Sequence, residues 1–282
     1  MCADVFTAIT TFVDVEKGRA TLKRHSVGFT IGIILTLVLG FGYLAVAWLS
    51  LSSVKALGYY PTVFKATKTG PNSASLELST WPDSQVCHQD ATHPEIDWVT
   101  YCPSTVFEVP PDSIITVTIK NYDGETELHN TYFQQIQGTL DGTETLTGNI
   151  DVADSNGNYQ SQAVTGQSLS KVDPSIVSHT FTLQSREGTD TPFFLSIPVI
   201  GVPDSVPVDP NTGYPTTPNI ITFQFKSGPA GTVYIFRCYD PCGNGLKEND
   251  NDPNNIADSQ QGFAGPMATL GYMTGSMTVA NY

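Results

Sequence analysis

A run of 25 residues without charge, Val27 to Leu51, is the feature that most constrains what this chain can form. About 20 residues of helix, at about 1.5 Å of rise each, cross a hydrocarbon layer about 30 Å thick. A secretory signal peptide is the competing interpretation. However, signal peptides have a shorter apolar core than this run, and a small-residue cleavage site follows that core. We therefore predict a retained single transmembrane helix over residues 27–53.

Basic residues flank this run unequally. Four Lys and Arg residues lie between positions 17 and 24, whereas Lys55 alone follows the run closely. Positive charge is retained preferentially on the cytoplasmic side of a membrane, so residues 1–26 are predicted to be a cytoplasmic tail. The chain would then be a single-pass protein of the cell (plasma) membrane, with its C-terminal part extracytoplasmic.

The part of the chain that follows residue 53 is acidic, with 9 Lys and Arg against 24 Asp and Glu. This charge argues against nucleic acid and anionic membrane surfaces as partners. It is compatible with docking of a basic partner protein, with an acidic medium in which many carboxylates are protonated, and with solubility alone. The sequence leaves these three interpretations open.

Two cysteines, Cys87 and Cys102, lie in or beside a linker and extension over residues 54–104. Outside the membrane thiols tend to oxidise, and a disulfide that closes a loop of about 15 residues contributes about 3 kcal/mol. A zinc or copper site that also uses His88 and His93 is the alternative, but its spacing matches no standard pattern. The disulfide is the favoured prediction.

Residues 105–282 are predicted to form a mostly β domain. Apolar residues stand at every second position over 115–119 and again over 221–225. A period of two is the signature of a strand with one buried face. The 24 Gly and 19 Pro of the chain suit a fold with many turns.

Three longer segments are interpreted as additions to these strands. Residues 141–167 are rich in Gly, Thr and Asn, with apolar residues every few positions, and predict an added hairpin. Residues 184–218 are rich in proline and predict a long irregular crossing loop. Residues 244–265 are rich in Asn, Asp and Gly but lack the EF-hand pattern, so a solvated loop is favoured over a calcium site.

Soft metal-ligating side chains lie in or next to predicted strands of this domain. Cys238 and Cys242 stand four residues apart after a β-rich run, His179 lies in another such run, and Met273 lies near the end of the chain. Thiolate, imidazole and thioether are the ligands that select copper, and a weak axial Met tunes its potential. From the residues alone, two thiols at this spacing can hold a soft metal or close a small disulfide, and both interpretations stay open.

Four segments, in this order, resemble the cupredoxin fold, and in particular the extracytoplasmic domain of subunit II of haem-copper respiratory oxidases. They are the strand pair 109–122, the histidine strand 176–183, the Cys-Tyr-Asp-Pro-Cys-Gly segment that starts at Cys238, and the closing strand 270–279. The resemblance implies a cupredoxin-like Greek-key β-sandwich with insertions, a copper cofactor and electron transfer. It also implies the candidate copper ligands, which are His179, Cys238, Cys242 and Met273.

The copper motif is degenerate. The family's second histidine corresponds to Leu246, and its next methionine corresponds to Asn249. Met267 or His129 would then supply the missing ligand of a variant or mononuclear centre.

Three functions stay open at this point. The chain relays electrons through copper in a respiratory complex, or it is a copper-free structural subunit II of the quinol-oxidase type with a Cys238–Cys242 disulfide, or it is a tethered binding or adhesion module. The implied partners are the membrane, other subunits of the complex, and a basic cytochrome c or copper protein. No nucleophile or acid–base constellation indicates an activity of its own, so we expect an accessory subunit of a terminal oxidase complex.

Overall fold

The computed structural model describes six segments of the chain: residues 61–87, 98–154, 159–186, 192–240, 265–267 and 269–282. Within these segments the protein is mostly β, with 13 strands in two sheets. No helix among these residues is long and apolar enough to cross a membrane. The predicted tail and transmembrane helix, Cys242, His88, His93 and nearly all of the segment 244–265 lie outside the described residues.

The first sheet has six strands, which are numbered in chain order. In spatial order they are β1 (Phe64–Lys65), β5 (Val106–Val109), β13 (Thr274–Val279), β12 (Val233–Arg237), β9 (Val177–Ser185) and β10 (Phe194–Ile200). The strand β5 is parallel to both of its neighbours, and the other pairs are antiparallel.

The second sheet has seven strands. Along its main path they are β2 (Thr67–Gly70), β3 (Ser73–Trp81), β6 (Ile114–Asn121), β11 (Asn219–Lys226), β7 (Glu144–Ala153) and β8 (Tyr159–Leu169), and β4 (Thr100–Cys102) pairs with β3. Short 3₁₀ turns lie at Ser84–Val86, Thr131–Gln134, Pro174–Ile176 and Gly265–Met267.

The two sheets share one core. Every second residue of β6 over 115–119 and of β11 over 221–225 is buried, which confirms the alternation predicted for both strands. The ring of Phe181 in the first sheet lies 5.6 Å from that of Phe223 in the second, centroid to centroid. The sheets therefore pack face to face in a sandwich arrangement, which places the inner face of each strand in an apolar environment.

The added hairpin and the disulfide are confirmed. The strands β7 and β8 pair antiparallel across most of the segment 141–167. Cys87 and Cys102 are joined by a disulfide, with their Cα atoms 5.9 Å apart. Because the bond uses both sulfurs, the alternative metal site at these cysteines is not formed.

The prediction of an irregular loop over 184–218 is wrong in part. Its segment Phe194–Ile200 forms β10, which pairs with β9 along its whole length. The loop was predicted from the many prolines of the segment, but Pro198 lies in an edge strand, where a missing backbone N–H is tolerated. The apolar residues around that proline are buried against the core, so their burial drives strand formation.

Candidate metal centre

Cys238 and Met273 lie opposite each other at one end of the first sheet. At the end of the β12–β13 pair Arg237 lies opposite Thr274, and beyond it the Cys238 N–H donates a hydrogen bond of 2.9 Å to the Met273 carbonyl. Directly opposite residues of antiparallel strands point to the same face of a sheet. Both residues are fully buried in the core, so their side chains share the inner face.

His179 reaches the same place from the neighbouring strand β9. It is 1% exposed, and the next residue, Thr180, donates its backbone N–H to Cys238 Sγ at 3.2 Å. The imidazole itself hydrogen-bonds to Asp123 and to the Cys238 thiol. The Asp123 contact is made by Nε2, which lies 2.9 Å from Asp123 Oδ2.

The protonation of His179 follows from these contacts. Burial by itself lowers the pKa of the imidazole, but the hydrogen bonds to Asp123 and Cys238 and their charges outweigh burial and raise the pKa from 6.5 to about 10. The ring is therefore a buried cation in neutral solution without metal. A metal ion that binds it would displace a proton.

A second buried acid lies two residues after the thiol. Asp240 is 1% exposed, and Thr126 Oγ1 donates a hydrogen bond of 2.8 Å to its Oδ2. Burial, and then the charge of Cys238, raises the pKa of Asp240 to about 7. The Cys238 thiol in turn lies 3.5 Å from the Asp240 carbonyl oxygen, as a donor.

Asn121 holds the segment that carries Asp123. Its Nδ2 donates to Ser178 Oγ at 2.9 Å and to the Ile200 carbonyl at 2.8 Å, which ties the end of β6 to β9 and β10. Its Oδ1 accepts the backbone N–H of Asp123 at 3.0 Å. A carboxylate fixed in this way orients the imidazole it contacts, as outer partners of metal ligands do.

The two possible extra ligands lie in different environments. Met267 is 2% exposed in the same core, and the residue before it, Pro266, accepts the backbone N–H of Met273 at 3.1 Å. His129 is exposed, with Nδ1 3.0 Å from the Glu127 carbonyl oxygen.

The described donors fit part of a copper site. One imidazole, one thiol and one or two thioethers form the soft set that copper prefers, and the N–H···S bond from Thr180 favours a thiolate. Among the residues that the structure describes, no three His, Cys, Asp or Glu side chains are grouped to hold a metal. Cys242 lies outside these residues, so its place in the centre stays a prediction.

Sequence patterns did not reveal the polar residues that surround these donors. Asp123 lies two residues after the end of β6, and 56 residues separate it from His179. Asp240 stands between the two cysteines of the motif, which was the available signal for its position. Comparison with known proteins adds nothing to these observations: no protein family matches the chain, and no curated protein is significantly similar to it.

Proposed function

We propose that the chain is a membrane-anchored, cupredoxin-like electron-transfer subunit that resembles subunit II of haem-copper oxidases and binds copper at His179, Cys238 and Met273. The observation that carries the proposal is the convergence of these three side chains on one buried face. A plain structural sandwich has no need for an imidazole, a thiol and a thioether at the same end of three adjacent strands.

Each residue has a separate role in this proposal. His179 and Cys238 would be the strong ligands, Met273 would be a weak ligand, and Cys242, Met267 or His129 would complete the set. Asp123 holds the imidazole by Nε2, so that Nδ1 keeps one orientation. Bound copper would supply one-electron redox chemistry. Three paired strands keep the donors in place, so a change of charge at the centre causes little rearrangement.

The surroundings of His179 suggest where a partner docks. The imidazole is 1% exposed, whereas the side chain of Asp123, its hydrogen-bond partner, is 18% exposed. The carboxylate is therefore the member of this hydrogen-bonded pair that reaches solvent. A basic cytochrome c or copper protein would find a favourable charge there, and the haem-bearing subunits of the complex would supply catalysis.

A second function is favoured by one observation at the same site. His179 already has two polar partners, Asp123 and Cys238, so the buried ring is stable without a metal. The chain would then be a copper-free structural subunit that shapes the docking surface of its complex. In that case Cys238 and Cys242 are expected to form a disulfide.

Copper loading of the purified full-length protein in detergent separates the two functions. The copper-binding protein retains about one or two copper ions, as a copper centre of this ligand type does, and shows thiolate-to-copper absorption in the visible range. His179→Ala and Cys238→Ser each abolish that absorption, whereas the control Met277→Leu keeps it, because Met277 lies opposite Tyr234, farther along β13. Absence of copper together with no reactive thiol outside the membrane would instead support the structural subunit.

A further inference from the structure

Glu144 is an acid buried in the core of the sandwich. It is the first residue of β7, two positions before Leu146, which pairs with the buried Ile221 of β11. Alternation along the strand places Glu144 on the same inner face as Leu146. The residue is 1% exposed, and neither of its carboxyl oxygens has a hydrogen-bond partner in the described part of the protein.

An ionised carboxylate in this position would be unfavourable. Removal of a carboxylate from water without a partner carries a large penalty, whereas the neutral acid loses only ordinary polar solvation. The folded protein therefore favours the protonated form, and burial raises the pKa of Glu144 well above 4.5. No charged group is among the causes of this shift, so burial alone is responsible.

Glu125 is a second acid with a buried oxygen and no partner for it. Its Oε1 is inaccessible and accepts no hydrogen bond from the described residues. Burial raises its pKa to about 7, and the carboxylates of Asp151, Asp204 and Asp173 add to the shift. Gly201 packs closely against this residue, since a Cβ atom at Gly201 would lie 2.6 Å from the Glu125 backbone nitrogen.

We propose that the sandwich holds the Glu144 and Glu125 carboxyl groups as neutral acids, so that the domain is most stable in acidic surroundings and loses stability when they ionise. The domain would then work in acidic surroundings. This inference is independent of copper, since it uses neither the candidate ligands nor their contacts.

The direction of the pH effect follows from proton linkage. An acid with a raised pKa in the folded state binds more protons folded than unfolded, so its contribution to stability is complete below about pH 4.5. That contribution is lost as the pH rises toward the pKa of the folded state. The 27 Asp and Glu against 13 Lys and Arg add a general repulsion at high pH, which any acidic protein shows. A test must separate the two effects.

Thermal unfolding of the full-length protein in detergent, from about pH 3 to pH 8, provides this separation. At about pH 7 the variant Glu144→Gln is expected to unfold about 5 °C or more above the unmodified protein, and at about pH 4 the two should coincide. Glu125→Gln should act in the same direction with a smaller shift, because Glu125 is less buried. The control Glu77→Gln, an exposed acid on β3, should keep the original pH profile.

Two measurements keep the proposal testable if Glu144→Gln does not fold. Infrared spectroscopy of the unmodified protein at about pH 7 should show the carbonyl stretch of protonated carboxyl groups, which ordinary exposed acids do not give at that pH. Its absence would overturn the proposal, as would an unfolding temperature that rises with pH. Calcium that stabilises the unmodified protein but not Glu125→Gln would identify a cation site at Glu125 and overturn that part.

Discussion

Two regions bury ionisable groups in the same core: the His179 end of the first sheet, with His179, Cys238 and Met273, and the Glu144 corner of the second sheet, at the start of β7. Their surroundings favour the charged form of the imidazole but the neutral form of the carboxyl group. His179 hydrogen-bonds to Asp123 and Cys238, and these contacts raise its pKa in spite of burial. The oxygens of Glu144 have no partner in the described structure. The partners of the imidazole favour its charged form, whereas burial without a partner favours the neutral form of the carboxyl group.

This difference indicates different uses for the two regions. A buried, oriented imidazole next to a buried thiol is an arrangement that a ligand can exploit, because the donors are already in position. An unpartnered buried acid contributes nothing to recognition, but it makes stability depend on pH. Four substitutions test whether the two regions differ in this way.

The largest effect is expected from Gly275→Ala, which disturbs the packing of the His179 end. A Cβ atom at Gly275 would lie 1.9 Å from the backbone oxygen of Thr105, so β13 would have to move away from the segment that precedes β5. We expect the free energy of unfolding to fall by about 3 kcal/mol. Chemical denaturation measures this change. The control Gly124→Ala, where the added methyl group meets nothing within 4 Å, should cost far less; equal losses would contradict the packing argument.

The next largest effect is expected from Asp123→Ala, which removes the carboxylate partner of His179. The imidazole loses its orienting hydrogen bond at Nε2, and copper affinity should fall about 10–100-fold. Competition titration with a copper chelator gives the affinity. The exposed acid Glu77 provides the control, since Glu77→Ala should leave affinity unchanged. Unaltered affinity in Asp123→Ala would show that the carboxylate does not support the ligand.

Glu144→Leu removes the unpartnered acid altogether. An apolar side chain of similar size should suit this site, so the free energy of unfolding at about pH 7 is expected to rise by about 1–2 kcal/mol. The matched change Glu77→Leu on the exposed face of β3 should give no such gain. Destabilisation by Glu144→Leu would indicate that the carboxyl group has a polar partner after all.

The smallest effect is expected from Thr126→Val, which removes a hydrogen-bond partner from a buried acid at the His179 end. Asp240 loses the hydroxyl that donates to Oδ2, with little change in side-chain shape. A loss of about 1 kcal/mol in the free energy of unfolding is expected. Thr145→Val, at an exposed position of β7, is the control and should be neutral. No difference between the two variants would mean that this hydrogen bond is dispensable.

The sequence alone predicts the local features well. A period of two identifies the inner faces of β6 and β11, because alternation is a direct consequence of strand geometry. The disulfide follows from the predicted compartment and the loop length. The strand β10 was missed because the many prolines of its segment suggested a loop, and edge strands tolerate proline only in a context that tertiary structure creates.

The same distinction between local and tertiary features applies to the candidate site. The paired cysteines are recognisable by their spacing, whereas His179 and Met273 were predicted from the resemblance to the cupredoxin fold. The partners of these donors could not be predicted, because Asp123 contacts His179 through the packing of the two sheets rather than through local sequence. Glu144 gave no signal either, because an acid at the start of a strand ordinarily faces solvent.

X-ray absorption at the copper edge of the copper-loaded, full-length protein tests whether His179 and Cys238 bind copper. The proposed centre predicts a coordination shell that contains both sulfur and imidazole nitrogen, and Cys238→Ser should remove a sulfur contribution while the fold is retained. A shell of nitrogen and oxygen alone, unchanged by Cys238→Ser, would contradict the assignment of copper to the His179 end of the sheet.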